Sequence, residues 1–173
     1  MYLRWILCAS LLLVPACKRK DNVSVAKTEE QGASLASVVH VADPNTASQL
    51  ISGFHDLEQN QWRWTMGKFA VSLRPPSNAA QRGATLQLKL SVAEPIIKKF
   101  QAVALSAKIG ATALPPESYT QAGEFVYTRD IAPELLTGNS VLVEFALDKF
   151  AQPGEFDGRE LGLIVTSAGL EPK

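Results

Sequence analysis

The feature that most constrains the fold is a period-two alternation of apolar and polar residues, repeated in short segments from about residue 50 onward. In the clearest segment, residues 85–92, the apolar positions are Leu86, Leu88, Leu90 and Val92. Side chains alternate between the two faces of a β-strand, so this spacing places all four on one face and predicts a half-buried strand. Similar segments lie at 62–64, 69–73, 101–109, 124–128, 140–147 and 161–168.

Turn-forming residues separate these segments, which fixes the fold class further. Prolines and glycines occur at 75–76, 115–116, 138 and 153–154. Such residues mark turns, because proline cannot donate to a strand ladder and glycine tolerates strained backbone. The helix candidates, 46–55 and 130–136, are short. We therefore predict a mainly β domain over residues 49–173, an antiparallel β-sandwich of the jelly-roll or immunoglobulin-like type.

The first residues have the pattern of a secretory signal, predicted over residues 1–16. Arg4 provides a positive charge, and the apolar run 6–14 is shorter than the roughly 20 residues needed to span a bilayer. The run ends in Leu13-Val14-Pro15-Ala16-Cys17, which resembles the lipobox of bacterial lipoproteins, although Pro15 is unusual there. An ordinary signal peptide with an incidental cysteine is the alternative.

The lipobox resemblance implies that Cys17 is acylated and inserts into membrane lipid. Lys18, rather than Asp, follows it, and the resemblance then favours the outer membrane of the cell envelope. Cys8 lies within the predicted signal, so no cysteine pair remains for a disulfide in the mature domain. Residues 17–48 are predicted to form a flexible tether, because the stretch 18–34 is polar. The more apolar stretch 35–42 is either a short edge strand or a segment docked on the domain.

Composition argues against several function classes. The formal net charge is zero, so the chain lacks the basic footprint of a nucleic-acid-binding protein. His40 and His55 are the only histidines, and no histidine, cysteine or acidic residues have metal-ligand spacing. No Gly-x-Ser-x-Gly nucleophile elbow is present. We predict a protein that is not an enzyme and has no metal or cofactor.

Two motifs combine charged residues with apolar ones. The first runs from Gly53-Phe54 through Glu58 to Trp62-Arg63-Trp64, and the second from Pro153 to Asp157-Gly158-Arg159-Glu160-Leu161-Gly162. Together they resemble a β-sandwich domain of bacterial envelope proteins that is also appended to some membrane-bound glycosyltransferases. The resemblance covers roughly residues 50–170 and implies an accessory, non-catalytic domain associated with envelope carbohydrate.

The candidate ligand-binding residues come from these motifs: Glu58, Trp62, Arg63, Trp64, Arg159 and Glu160. Glu58 is expected to reach Arg159 or Arg63, because arginine can hold a carboxylate by two parallel hydrogen bonds. Such a network either locks the fold or lines a ligand site. The two tryptophans share one face of a strand, where they either pack in the core or form a sugar-stacking platform. If they face inward, Arg63 faces outward.

Two functions remain open from the sequence. One is binding of a glycan, or assistance to a polysaccharide system, at the envelope. The other is a protein-interaction scaffold, which predicts an exposed apolar patch or an open edge strand.

Overall fold

A computed structural model describes residues 35–173. The predicted signal peptide, Cys17 and the tether up to residue 34 lie outside the described residues. The strands are β1 (Val38–His40), β2 (Leu50–Glu58), β3 (Trp62–Leu73), β4 (Ala84–Val92), β5 (Val103–Ile109), β6 (Thr112–Tyr119), β7 (Gly123–Ile131), β8 (Val141–Leu147) and β9 (Ile164–Pro172). The helices are α1 (Ala79–Arg82), α2 (Glu94–Phe100) and two 3₁₀ turns, Pro44–Gln49 and Pro133–Leu135.

The predicted mainly β, antiparallel fold is confirmed, since every paired strand in the described chain is antiparallel. The strand order is β6-β5-β8-β3-β9-β4-β7, with β2 on β3 and β1 on β9. Strand β3 joins two layers because its start pairs with β9 at Arg63 and Trp64, and its end pairs with β8 from Lys68 to Leu73. Layer one comprises β6, β5, β8 and the end of β3, and layer two comprises β7, β4, β9 and β1.

The core lies between the two layers and follows the alternation read from the sequence. Leu86, Leu88, Leu90 and Val92 of β4 are all buried, as predicted. Across the core, the Tyr127 ring of layer two meets the Phe145 ring of layer one edge to face, with centroids 6.3 Å apart. Such aromatic contacts add to the free energy gained by burying apolar surface.

The two end strands, β6 and β7, protect each other's edges. The Arg129 guanidinium on β7 donates to the backbone oxygens of Pro115 and Pro116 on β6, at 2.7 and 3.0 Å, and to the Glu117 carboxylate. The Tyr127 hydroxyl also donates to the Pro115 oxygen at 2.9 Å. The two prolines cannot donate to an incoming strand, so β6 is a poor template for strand addition.

The folded part of the described chain begins before residue 49, the start predicted from the sequence. The apolar stretch 35–42 contains an edge strand, because β1 pairs with β9 and Val39 is fully buried. The side chain of Gln49 holds the stretch 35–42 to the rest of the domain by hydrogen bonds. Its amide oxygen accepts from the Ala36 N–H at 2.8 Å, and its amide nitrogen donates to the carbonyls of Ala36 and Ser72.

Both helix candidates need correction. A 3₁₀ turn spans Pro44–Gln49, with Asp43 as its N-cap, so only residues 46–49 of the candidate 46–55 are helical, and the chain then continues as strand β2. In the candidate 130–136, only Pro133–Leu135 is helical. Helix α2, by contrast, is a full α-helix that the period-two pattern does not reveal.

Candidate functional site

The two sequence motifs meet at the point where β3 changes partner. Between Trp64, paired with β9, and Lys68, paired with β8, the backbone of β3 needs other hydrogen-bond partners. The segment 160–163 supplies them. The Thr65 N–H donates to the Leu163 oxygen at 2.7 Å, and the Leu163 N–H donates to Thr65 Oγ1 at 3.0 Å. Thr65 is fully buried, so these bonds satisfy groups that water does not reach.

Glu160 completes this connection with its side chain. The buried Gly67 N–H donates to Glu160 Oε1 at 2.7 Å. A side chain at residue 67 would collide with the Phe150 ring, since its Cβ would lie 2.2 Å from a ring carbon. His55 Nε2 lies 2.6 Å from the Glu160 backbone oxygen and donates to it. Glu160 therefore holds β2 and β3 to the loop that precedes β9.

Arg159 forms the ion-pair part of the same junction. Its guanidinium donates to Glu58 Oε1 at 2.7 Å and to Asp157 Oδ2 at 2.8 Å. The prediction that Glu58 reaches Arg159 is thus confirmed. The hydrogen bond from the Arg159 side chain lowers the pKa of the Asp157 carboxyl, and the Arg159 backbone N–H strengthens the effect. The side chains of Arg159 and Glu58 keep 38% and 35% exposure, so solvent weakens their pairing.

Arg63 lies on the same face of β3 as the buried Thr65 and Phe69. The sequence left its direction open, with Arg63 facing outward only if the two tryptophans face inward. Its guanidinium donates to the carbonyls of Val41 and His55, at 3.0 and 2.9 Å. These two backbone carbonyls, which the sequence pattern does not reveal, give an inward arginine its partners.

The exposure of the two tryptophans is intermediate between that of core residues and that of an exposed sugar-stacking platform. Trp62 and Trp64 share one strand face and are both half-buried, and Trp64 packs against the edge of the core. The Trp62 indole nitrogen is enclosed without a hydrogen-bond partner in the described chain. Neither ring is the fully exposed, flat platform that sugar stacking needs.

The contacts of Glu58, Arg63, Arg159 and Glu160 thus account for how the chain is fastened at this junction. Their assignment, with Trp62 and Trp64, to a ligand site stays a prediction. The two motifs correctly indicated that Glu58 and Arg159 lie close together, because both motifs meet at the point where β3 changes its pairing from β9 to β8.

A different surface has the shape of a binding site. A groove of about 380 Å³ crosses the outer face of layer one, over β2, β3, β8, β5 and β6. Small side chains form its floor, chiefly Ala70, Ala113 and Ala146. Larger polar side chains on alternate strand positions form its walls: Ser52, Lys68, Ser106, Lys108 and Glu144.

The walls of the groove are partly organised by their own contacts. Lys108 on β5 and Glu144 on β8 form an ion pair at 3.0 Å. Ser106 Oγ donates to the Ala146 oxygen at 3.0 Å. The result is a preformed depression with exposed hydrogen-bond donors and one carboxylate. Sequence reasoning missed it, because small and polar residues at outward strand positions look like an ordinary solvated face.

Two further observations bear on the chemistry. Within residues 35–173, no group of three or more histidine, cysteine or acidic residues is positioned to hold a metal ion. In the same part of the chain, no helix combines the length and hydrophobicity of a membrane span.

Comparisons with known proteins include a weak structural likeness. No protein-family model and no curated protein matches the chain. A solved structure described as "CBM4 structure and function" is similar over 79% of this chain and 85% of its own, with 8% sequence identity and a TM-score of 0.35.

Proposed function

We propose that the chain is a non-catalytic, lipid-anchored protein of the cell envelope whose β-sandwich binds carbohydrate. The observation that carries the proposal is the preformed groove on layer one, where serine, lysine and glutamate side chains surround an alanine floor. Ligand pockets of roughly 300–1,000 Å³ with a few oriented polar groups are typical of small-ligand and sugar sites. The groove lies on sheet strands, which hold its walls in fixed positions.

The anchor is proposed from the sequence around Cys17. Acylation there would hold the domain at a membrane surface, and Lys18 favours the outer membrane. Triacylated cysteine supplies several acyl chains, and two membrane signals are enough for stable attachment. We expect a metabolic palmitate label on the protein that Cys17→Ala removes and Cys8→Ala leaves in place. A label that survives Cys17→Ala would refute the anchor.

The binding function is tested by titrating the detergent-purified full chain with a polysaccharide fraction from the envelope of the cells that produce it. We expect saturable binding that Ser106→Tyr abolishes, because a tyrosine ring at this exposed wall position fills the groove. Thr128→Tyr is the matched control, since Thr128 is exposed on β7 of the other layer. No binding by the unaltered chain, or equal binding by the Ser106→Tyr variant, would refute the proposal.

The alternative is a protein-binding scaffold. It predicts an open edge strand, and the edge of β6 is occupied by Arg129 and interrupted by Pro115 and Pro116. Exposed large apolar side chains do occur, for example Ile51 at 52% and Val126 at 48% exposure. Val126 on β7 belongs to layer two, whereas Leu142 on β8, at 45% exposure, belongs to layer one, so the exposed apolar side chains of the described chain do not all belong to one patch.

A further inference from the structure

We propose that the groove selects an anionic glycan, one whose sugars carry carboxylate groups. This inference rests on the carbohydrate-binding function proposed above and names the chemical class of its ligand. It follows from which side chains the groove offers and which it lacks.

Stacking of a sugar on an aromatic ring is not available in the groove. Phe69 and Phe145 contribute to its lining, but each is only 2% exposed. Their rings lie in the core and stack on each other, with centroids 4.8 Å apart. The groove therefore cannot hold the apolar face of a neutral sugar against a ring, and affinity must come from hydrogen bonds and charge.

The charges of the groove favour a negative ligand. Its lining holds two lysines and one carboxylate, and Lys108 is already paired with Glu144 at 3.0 Å. Lys68, on β3, is exposed and forms no ion pair within residues 35–173. An ammonium without an ion-pair partner among these residues is a suitable partner for a sugar carboxylate. The groove also offers the Ser52 hydroxyl and the acceptor lone pairs of Ser106 Oγ, whose O–H donates to the Ala146 oxygen.

The Lys108–Glu144 pair has a second consequence for selectivity. Its carboxylate repels a ligand carboxylate from that wall, so the acid group of the sugar is directed toward Lys68. Like charges brought together in an interface oppose binding and thereby fix the orientation of a ligand. Lys68 is thus the position for the acid group, and the paired Lys108 and Glu144 are left to contact neutral hydroxyls.

The experiment compares native polygalacturonate with the same polymer after reduction of its carboxyl groups, using the detergent-purified full chain. We expect tighter binding to the native polymer, weakened by raising the salt concentration. Lys68→Gln should reduce that affinity about three- to tenfold, the range of one charge-assisted contact at a partly exposed site. Lys98→Gln is the charge-matched control, because Lys98 lies on α2 outside the groove and pairs with Glu94 on the same helix.

Equal binding of native and reduced polymer would overturn the anionic selectivity and leave carbohydrate binding standing. Equal losses for Lys68→Gln and Lys98→Gln would also overturn it, because net charge alone would then explain the effect. Binding to neither polymer overturns the inference. Failure of the carbohydrate-binding function itself is recognised separately, by absence of binding to the envelope polysaccharide fraction.

Discussion

Removal of the Glu160 side chain should lower the free energy of unfolding of the domain, because a buried N–H loses its acceptor. Gly67 is buried, and its N–H has Glu160 Oε1 as acceptor at 2.7 Å. A buried donor left without an acceptor costs about 1–3 kcal/mol. Glu160 is only half-buried, so water can replace part of the lost bond, and we expect Glu160→Ala to cost about 1–2 kcal/mol.

Glu160→Gln separates the hydrogen bond from the charge. Its amide oxygen can still accept from the Gly67 N–H, so we expect it to lose about 0.5 kcal/mol, less than the alanine variant. Thermal unfolding should show a fall in Tm of roughly 3–8 °C for Glu160→Ala and a much smaller one for Glu160→Gln. Glu124→Ala, at an exposed position of β7, is the control and should change Tm little. Equal loss in the alanine and glutamine variants, or none in either, would contradict this interpretation of the junction.

Three further changes probe the same framework. Gly162→Ala should lower the free energy of unfolding, measured with denaturant, by about 2 kcal/mol or more, because the new Cβ would lie 2.7 Å from a Leu147 methyl. Gly158→Ala is the control and should leave that free energy unchanged, because the space around residue 158 is open. Because Arg159 lowers the pKa of Asp157, the Asp157 contribution is present above about pH 4 and lost as pH falls further, so proteolysis of its loop should rise there, and rise less in Asp157→Asn. Gln49→Leu should lower the free energy of unfolding by about 2 kcal/mol and speed hydrogen exchange at the Ala36 amide, which loses its acceptor. Unchanged exchange at Ala36 would contradict the role given to Gln49.

The sequence predicts the fold where side-chain period and burial agree. The β4 pattern gives a correct strand because its alternate apolar positions are the ones that pack into the core. The 46–55 region misled, because alternation is poor there and β2 is held by pairing with β3 across irregular registers. Helix α2 was missed because it is one short segment, with Pro95 at its start and Ile96 as its buried residue.

The candidate site was predictable in its pairing and not in its geometry. Opposite charge and the two motifs were enough to connect Glu58 with Arg159. The inward position of Arg63 depends on the carbonyls of Val41 and His55, which only the folded backbone brings near it. The groove depends on the register of neighbouring strands, which sets Ala70, Ala113 and Ala146 among polar side chains of other strands, and no local pattern encodes that neighbourhood.

The most direct measurement is site-specific photo-crosslinking in intact cells, with an aliphatic diazirine residue at position 52, an exposed position of the groove lining, and, as the control, at position 128 on β7. We predict a carbohydrate adduct from position 52 and none from position 128. A discrete protein adduct from position 52, or the same adducts from both positions, would contradict carbohydrate binding in the groove.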